Sequence, residues 1–343
     1  MARSDSLTTN TSAVEFLPRG ALIQDFRVAG QSIVLNFPTD AAYVAHNAFY
    51  FGETIGRVAN RVQRATIGQL NGQSYTLPKN NGPSSLHGGV EGWGKKVWRG
   101  PHLALIDGHE SVAFTYNSPH GDEGYPGAVQ ATVRYVARTQ VHQGVEQTVL
   151  DVSYEVRMAD EQPDGVSETV VNVTNHSYFN PGPESTFDGT RATLHTDLCL
   201  PLDSDGIPTA GPTRHEYIQS GETVTLGKTQ PVLDDCFILN AAPATIPLDS
   251  RSSPLQLAAS FYHPLSHIHL EVRTTEPAFQ FYTGDYVNVP AVHSTPSRPS
   301  RAGFCVEPGR YINAVNVDEW RSMVVLKKGE TYGSRIVYTA WKS

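Results

Sequence analysis

The chain has 343 residues and a formal net charge of −8, from 26 Lys+Arg against 34 Asp+Glu. An acidic chain without a basic run is a poor candidate for binding nucleic acid or an anionic membrane, and no stretch approaches the ~20 apolar residues of a membrane span. Charged residues make up 17%, below the roughly 25% usual for soluble domains, which favours turns and strands over charged helices.

Residues 1–12 lack the apolar segment of a signal peptide and are expected to form a flexible N-terminus. Next comes Gly56-Arg57-Val58-Ala59-Asn60-Arg61. Two arginines four apart around an Asn offer forked donors suited to sugar hydroxyls or a carboxylate; the alternative is a surface pair on a turn. The segment from Asn80 closes on Leu86-His87-Gly88-Gly89, where paired glycines let a ligand approach the backbone. The competing reading is a His that caps the turn.

Short β-branched and aromatic runs then recur between Gly, Pro, Asn and Asp. They predict strands at Ala131–Arg138, Thr148–Met158, Val170–Thr174, His267–Arg273, Ala278–Thr283 and Ser334–Ala340. Such spacing points to a many-stranded all-β fold. No linker or composition shift divides residues 1–343, so a single domain is expected, with Pro290–Arg301 as a long loop. A Gly-rich stretch, Gly221 to Thr229, imitates a phosphate-binding loop, but five residues separate its glycines where four are required. No G-x-G-x-x-G unit occurs, so a nucleotide-binding Rossmann unit is not expected and a free-standing protein is.

The strand predicted over Val170–Thr174 ends in Asn175-His176-Ser177-Tyr178-Phe179-Asn180, a polar and aromatic cluster at a strand end, where function concentrates. A buried, satisfied His is the alternative. Asp234 and Asp235 are adjacent, so on a strand they point to opposite faces, which argues against a chelating pair; no metal site is expected. Glu307, in Phe304-Cys305-Val306-Glu307-Pro308, is a carboxylate on an apolar strand, either at an edge or functional. Partial burial would raise its pKa towards that of a useful general base. The three cysteines, Cys199, Cys236 and Cys305, form no C-x-x-C pair and are expected to be buried thiols in a reducing compartment. Asn172 and Asn175 both lie in glycosylation triplets, which also favours the cytoplasm.

Taken together, these segments resemble the aldose 1-epimerases, or galactose mutarotases. The order is Gly-Arg-x-x-Asn-Arg-Val, Leu-His-Gly-Gly, Thr-Asn-His-Ser-Tyr-Phe-Asn, Asp-x-x-Phe and Glu-Pro…Ala-Val-Asn, supported by residues 118–127 and Phe281-Tyr282-Thr283-Gly284. The resemblance covers roughly residues 15–340. It implies a large antiparallel β-sandwich with an open sugar cleft. It also implies an isomerase that interconverts α and β anomers of free hexoses such as galactose and glucose. Glu307 is implied as general base and His176 as general acid, with Arg61, His87 and Asp234 on the sugar hydroxyls and His87 also near the ring oxygen. Asn60, Trp93, Tyr178 and Phe281 are further candidates for the cleft, the aromatics as a sugar-stacking face. Neither cofactor nor metal is implied, and the expected partner is a monosaccharide. Two departures stand out. Gly309 occupies a position where Gln is usual, and Ile312-Asn313 replaces Pro-Asp. A hexose 6-phosphate epimerase, with Arg57, Lys95 and Lys96 as phosphate ligands, and a non-catalytic sugar-binding module are the alternatives.

Overall fold

The computed structural model describes residues 7–8, 13–292 and 295–343. Of the expected flexible N-terminus, only Leu7–Thr8 is described, as a two-residue strand; the rest lies outside the described residues. Among the described residues the strands sort into one sheet of nine and one of six, with smaller pairings around them. The nine-stranded sheet runs in the order Arg99–Ile106, His109–Ser118, Val129–His142, Val145–Met158, Tyr332–Lys342, Ile268–Thr274, Gln256–His263, Thr190–Leu194 and Thr223–Leu226. The six-stranded sheet runs Tyr178–Phe179, Phe304–Gly309, Ala278–Tyr282, Asp234–Ile238, Leu198–Cys199 and Thr213–Arg214. Every pairing within both sheets is antiparallel.

Alternation builds the core. Val129, Ala131, Val133, Tyr135 and Ala137 point one way from their strand and are buried, as a period of two requires. They meet Phe237, Phe279, Phe281, Phe304 and Val306 from the smaller sheet in one apolar cluster. The opposite face of the six-stranded sheet is thereby left to carry Cys305, Glu307, Gln280 and Asp234. Two sheets packed through one core make a β-sandwich, as expected.

One predicted strand is divided. Val170–Thr174 splits into Glu168–Val170, paired with Val325–Lys327, and Thr174–Asn175, paired with Thr54–Ile55. Between them Asn172 bonds to Arg57 and Ala59 through the backbone, in a parallel bridge to Val58. The valines hide the break because all are buried, whichever partner they have. The stretch resembling a phosphate loop is a turn and the edge strand Thr223–Leu226. Across residues 290–301 no named strand forms among the described residues, only bridges such as Val289↔Arg298.

Candidate active site

Glu307 and His176 meet below the surface, where Glu307 shares a small cavity with Asn60, Asn172 and Gln280. Glu307 lies mid-strand, register-paired with Gln280. His176 follows the two-residue strand Thr174–Asn175, and its backbone is clamped from both sides: its N–H donates to Glu53 O at 2.9 Å and its carbonyl accepts from Gly52 N–H at 3.1 Å. His176 Nε2 stands 3.5 Å from Glu307 Oε2, and both side chains are 6% exposed. Cys305 Sγ lies 3.5 Å from the other ring nitrogen, Nδ1.

His87 reaches the same place from a separate loop. Asn80 fastens that loop, its amide donating to Leu86 O and Gly89 O and its Oδ1 accepting from Leu86 N–H. His87 itself has φ 52°, the left-handed region that is uncommon for residues other than Gly. Gly88, at φ +85°, leaves no room for a Cβ, which would fall 2.0 Å from Gly56 O. The His87 ring sits edge-on to His176 with centroids 5.1 Å apart. Tyr50 packs on both, at 4.9 Å from His87 and 5.6 Å from His176. Lys95 Nζ lies 4.5 Å over the Tyr50 ring and is anchored to buried Glu53 at 2.7 Å.

The cleft wall is a polar chain. Arg61 donates to Asn81 Oδ1 and Asn60 Oδ1, Asn60 donates to Gln280 Oε1 at 3.3 Å, and Gln280 donates to Asp234 Oδ1 at 2.7 Å. Gln280 went unnoticed in the sequence although it carried a signal: in Phe279-Gln280-Phe281-Tyr282 the phenylalanines share one face, so Gln280 must take the other. Asp234 and Asp235 do diverge, Asp235 approaching His215 Nε2 at 3.8 Å. Arg61 and Asp234 also line a neighbouring cavity of about 830 Å³ that contains five carboxylates against two arginines and whose lining includes neither His176 nor Glu307.

Two candidate cleft residues belong elsewhere. Trp93 is buried against Trp98 and Tyr116, and Phe281 lies in the inter-sheet core beside Phe261 and Phe304. An aromatic identity does not reveal which face of its element a ring takes. Tyr178 is also buried, its ring 5.2 Å from His176, so it backs the imidazole and offers no open stacking face. The exposed rings on the neighbouring cavity are Tyr217 and Tyr286. Asn172 and Asn175 are buried and hydrogen-bonded, so neither has room for a glycan.

Desolvation governs the electrostatics. Burial, reinforced by Asp234 and opposed by Arg61, holds the Glu307 carboxyl well above the ordinary range. Burial lowers His176 to about 3; its own backbone carbonyl opposes this and Lys95 adds to it. His87 is pushed down by burial, His176, Arg61 and Lys95. Asp234 is raised by burial despite the Gln280 bond and Arg61. Although Asp234 is exposed to the cleft, its concave wall removes much of the surrounding water.

Among the described residues, His87, His176 and Glu307 are the cluster that could ligate a metal, with ligand atoms within 4.8 Å of one another. An ion about 2.0–2.2 Å from each would draw them to roughly 3.4 Å apart.

Residues 5–339 match the aldose 1-epimerase family profile. The bifunctional protein gal10 of Schizosaccharomyces pombe is 33% identical over 326 residues, which is 94% of this chain and 43% of that protein. The first curated relatives it matches are thus about twice its length. Galactose mutarotase of Sus scrofa is 34% identical over 325 residues, 93% of this chain and 85% of the relative. The structure of a GalM/aldose epimerase homologue from C. elegans superposes with TM-score 0.78 at 23% identity, covering 96% and 95% of the two chains. Galactose 1-epimerase from Lactobacillus acidophilus NCFM gives 0.76 at 22%, covering 100% and 97%. At those identities the structural likeness establishes the fold.

Proposed function

The chain belongs to the aldose 1-epimerase family, and from that premise we propose that it interconverts the α and β anomers of free hexoses such as galactose and glucose. The observation that carries this reading is the His176–Glu307 pair, a buried acid and base 3.5 Å apart beside the polar chain of Asn60, Gln280 and Asp234. Ring opening removes a proton from the C1 hydroxyl and adds one to the ring oxygen. Glu307 takes the first and His176 gives the second. The aldehyde rotates about C1–C2, and the two groups exchange roles as the ring recloses. Proton transfers by positioned groups contribute ~100- to 10,000-fold each, and the chemistry includes no redox step.

Burial fits this cycle. Before ring opening the working pair is carboxylate and imidazolium; afterwards it is carboxylic acid and neutral imidazole. Desolvation favours the second, uncharged pair, so the buried site supports the opened sugar and makes protonated His176 a strong acid. With His176 lowered to about 3 and Glu307 raised well above its ordinary value of 4.5, the pair still holds one proton at the ordinary carboxyl value. Therefore kcat/KM should not fall as pH drops through 4.5. A loss of activity with its midpoint there would contradict this assignment.

Arg61, Asn60, Gln280, Asp234 and His87 hold the sugar hydroxyls in this reading. Arg61→Ala should raise KM by ~10-fold or more, the loss expected for a charged hydrogen bond, with a smaller effect on kcat. Free hexoses are favoured over hexose 6-phosphates because the carboxylate-rich neighbouring cavity repels a dianion. The three cations considered as phosphate ligands are also otherwise engaged: Arg57 by Ser118, Pro126 and Gly127, Lys95 by Glu53, and Lys96 by Glu91. A protein that only binds sugar has no need of the buried acid–base pair.

The reaction is assigned to the cytoplasm, where the three buried free thiols stay reduced. No helix among the described residues is long and apolar enough to cross a membrane. Residues 1–343 act as one domain, because both sheets draw strands from distant parts of the chain. Polarimetry of freshly dissolved α-D-galactose tests the proposal: catalytic amounts of protein should speed the approach to equilibrium rotation, and an unchanged rate would reject it. Proton NMR with glucose 6-phosphate should show a much smaller acceleration.

A further inference from the structure

We infer that the Thr174 hydroxyl is a positioning group for Glu307, acting through one water molecule held in the small cavity that both residues line. The inference rests on the proposed acid–base pair and deepens it, by giving the base a polar partner besides His176. The cavity amounts to about 20 Å³, and one water needs about 10–15 Å³. Small residues make the space, with Ala59, Ala278 and Gly309 in its wall. Gly309 follows Glu307 by two residues on the same face of the strand, and a Cβ there would fall 3.2 Å from Asn172 Oδ1. The glycine that departs from the usual Gln thus keeps room open next to the base.

The partners a water requires are in place. Thr174 opens the strand Thr174–Asn175, two residues before His176. It is 1% exposed, and its Oγ1 has no hydrogen-bond partner among the described residues. A buried hydroxyl left alone is costly, and ordered water satisfies such groups where they border a polar cavity. A carboxylate accepts at both oxygens, and the 3.5 Å contact with His176 engages only Glu307 Oε2. Asn172 lines the cavity as well, its Nδ2 held by Ala59 O at a long 3.4 Å. A water among these groups accepts from Thr174, donates to Glu307 and has the Asn172 amide as a third partner.

The direction of donation sets its effect. A hydrogen bond donated to a carboxylate favours the charged form. Burial and Asp234 oppose that form of Glu307 and Arg61 supports it; the water joins Arg61. The carboxylate–imidazolium pair from which ring opening begins is then easier to reach, and Glu307 remains a base.

A high-resolution crystal structure of the full chain tests the site directly. An ordered water should lie within hydrogen-bond distance of both Thr174 Oγ1 and the Glu307 carboxyl, and should stay there in galactose-soaked crystals. A dry cavity, a water touching only one of the two, or a sugar atom in its place overturns the inference. Thr174→Val keeps the shape of the side chain and removes the hydroxyl, whereas Thr174→Ser keeps the hydroxyl. The 13C NMR titration of the Glu307 carboxyl should move to higher pH in Thr174→Val and stay near the parent midpoint in Thr174→Ser. His87, His176, Asp234 and Arg61 also face Glu307, as do the thiols of Cys236 and Cys305 and the hydroxyls of Tyr178 and Tyr338. All are common to the three proteins. In polarimetry Thr174→Val should lose ~3- to 10-fold in kcat with KM unchanged, since the scarcer carboxylate is also the stronger base and returns part of the loss. Thr174→Ser should recover most of it. A Thr174→Val protein with unaltered Glu307 titration and kcat overturns the inference. The water and the titration are read without turnover, so an inactive protein that shows both would reject the proposed reaction and leave the role of Thr174 standing. If Thr174→Val fails to fold, the parent crystal structure still decides.

Discussion

Replacing Glu307 by Gln should slow mutarotation by at least ~100-fold while sugar binding stays measurable, the result expected for loss of a general base. The substitution keeps size and shape, so the packing around residue 307 is preserved. It removes the oxygen that accepts the C1 hydroxyl proton and supplies an amide that cannot replace it. The neutral side chain also removes the repulsion from Asp234 that burial makes costly. Glu307→Gln should therefore be no less stable than the parent in urea, and lost activity could not be ascribed to unfolding. Polarimetry gives the rate, and titration calorimetry with galactose gives the binding. Near-normal mutarotation would remove Glu307 from the base role.

His176→Gln should fall by a comparable ~100-fold, in kcat more than in KM, because the acid acts mainly as the ring oxygen develops charge. His87 is the control. It lies edge-on to His176 but has no ion-pair contact with Glu307 like that of His176 at 3.5 Å. His87→Gln should therefore raise KM more than it lowers kcat. If the two variants exchanged these patterns, the acid role would pass to His87.

The candidate residues His176 and Glu307 were more legible in the sequence than the residues that support them. Glu307 and His176 stood out because a charged or titratable group on an apolar strand is costly unless it is used. Strands such as Val129–His142 and Val145–Met158 were legible from their β-branched residues, and only their ends were underestimated. The break inside Val170–Thr174 was not legible, since a change of pairing partner leaves no mark on a buried valine run. Gln280 was missed because a single polar residue among phenylalanines was read as part of an apolar strand. Trp93 and Phe281 were misplaced for the converse reason: stacking on a sugar and packing in a core require the same side chains. Glu53 and Lys95, which hold His176 and Tyr50, come from segments far in sequence from both His176 and Glu307. Only the folded chain brings them beneath the site.

The most direct test of the central claim, that Glu307 and His176 act as one proton-exchanging unit on a sugar, is NMR exchange between the anomeric protons of equilibrated D-galactose. It should be run with the parent, both single variants and Glu307→Gln/His176→Gln. Exchange should grow in proportion to parent protein, and the double variant should lose little more than either single variant, as for residues that work together. Exchange no faster than in buffer, or a double loss equal to the product of the single losses, would contradict the account.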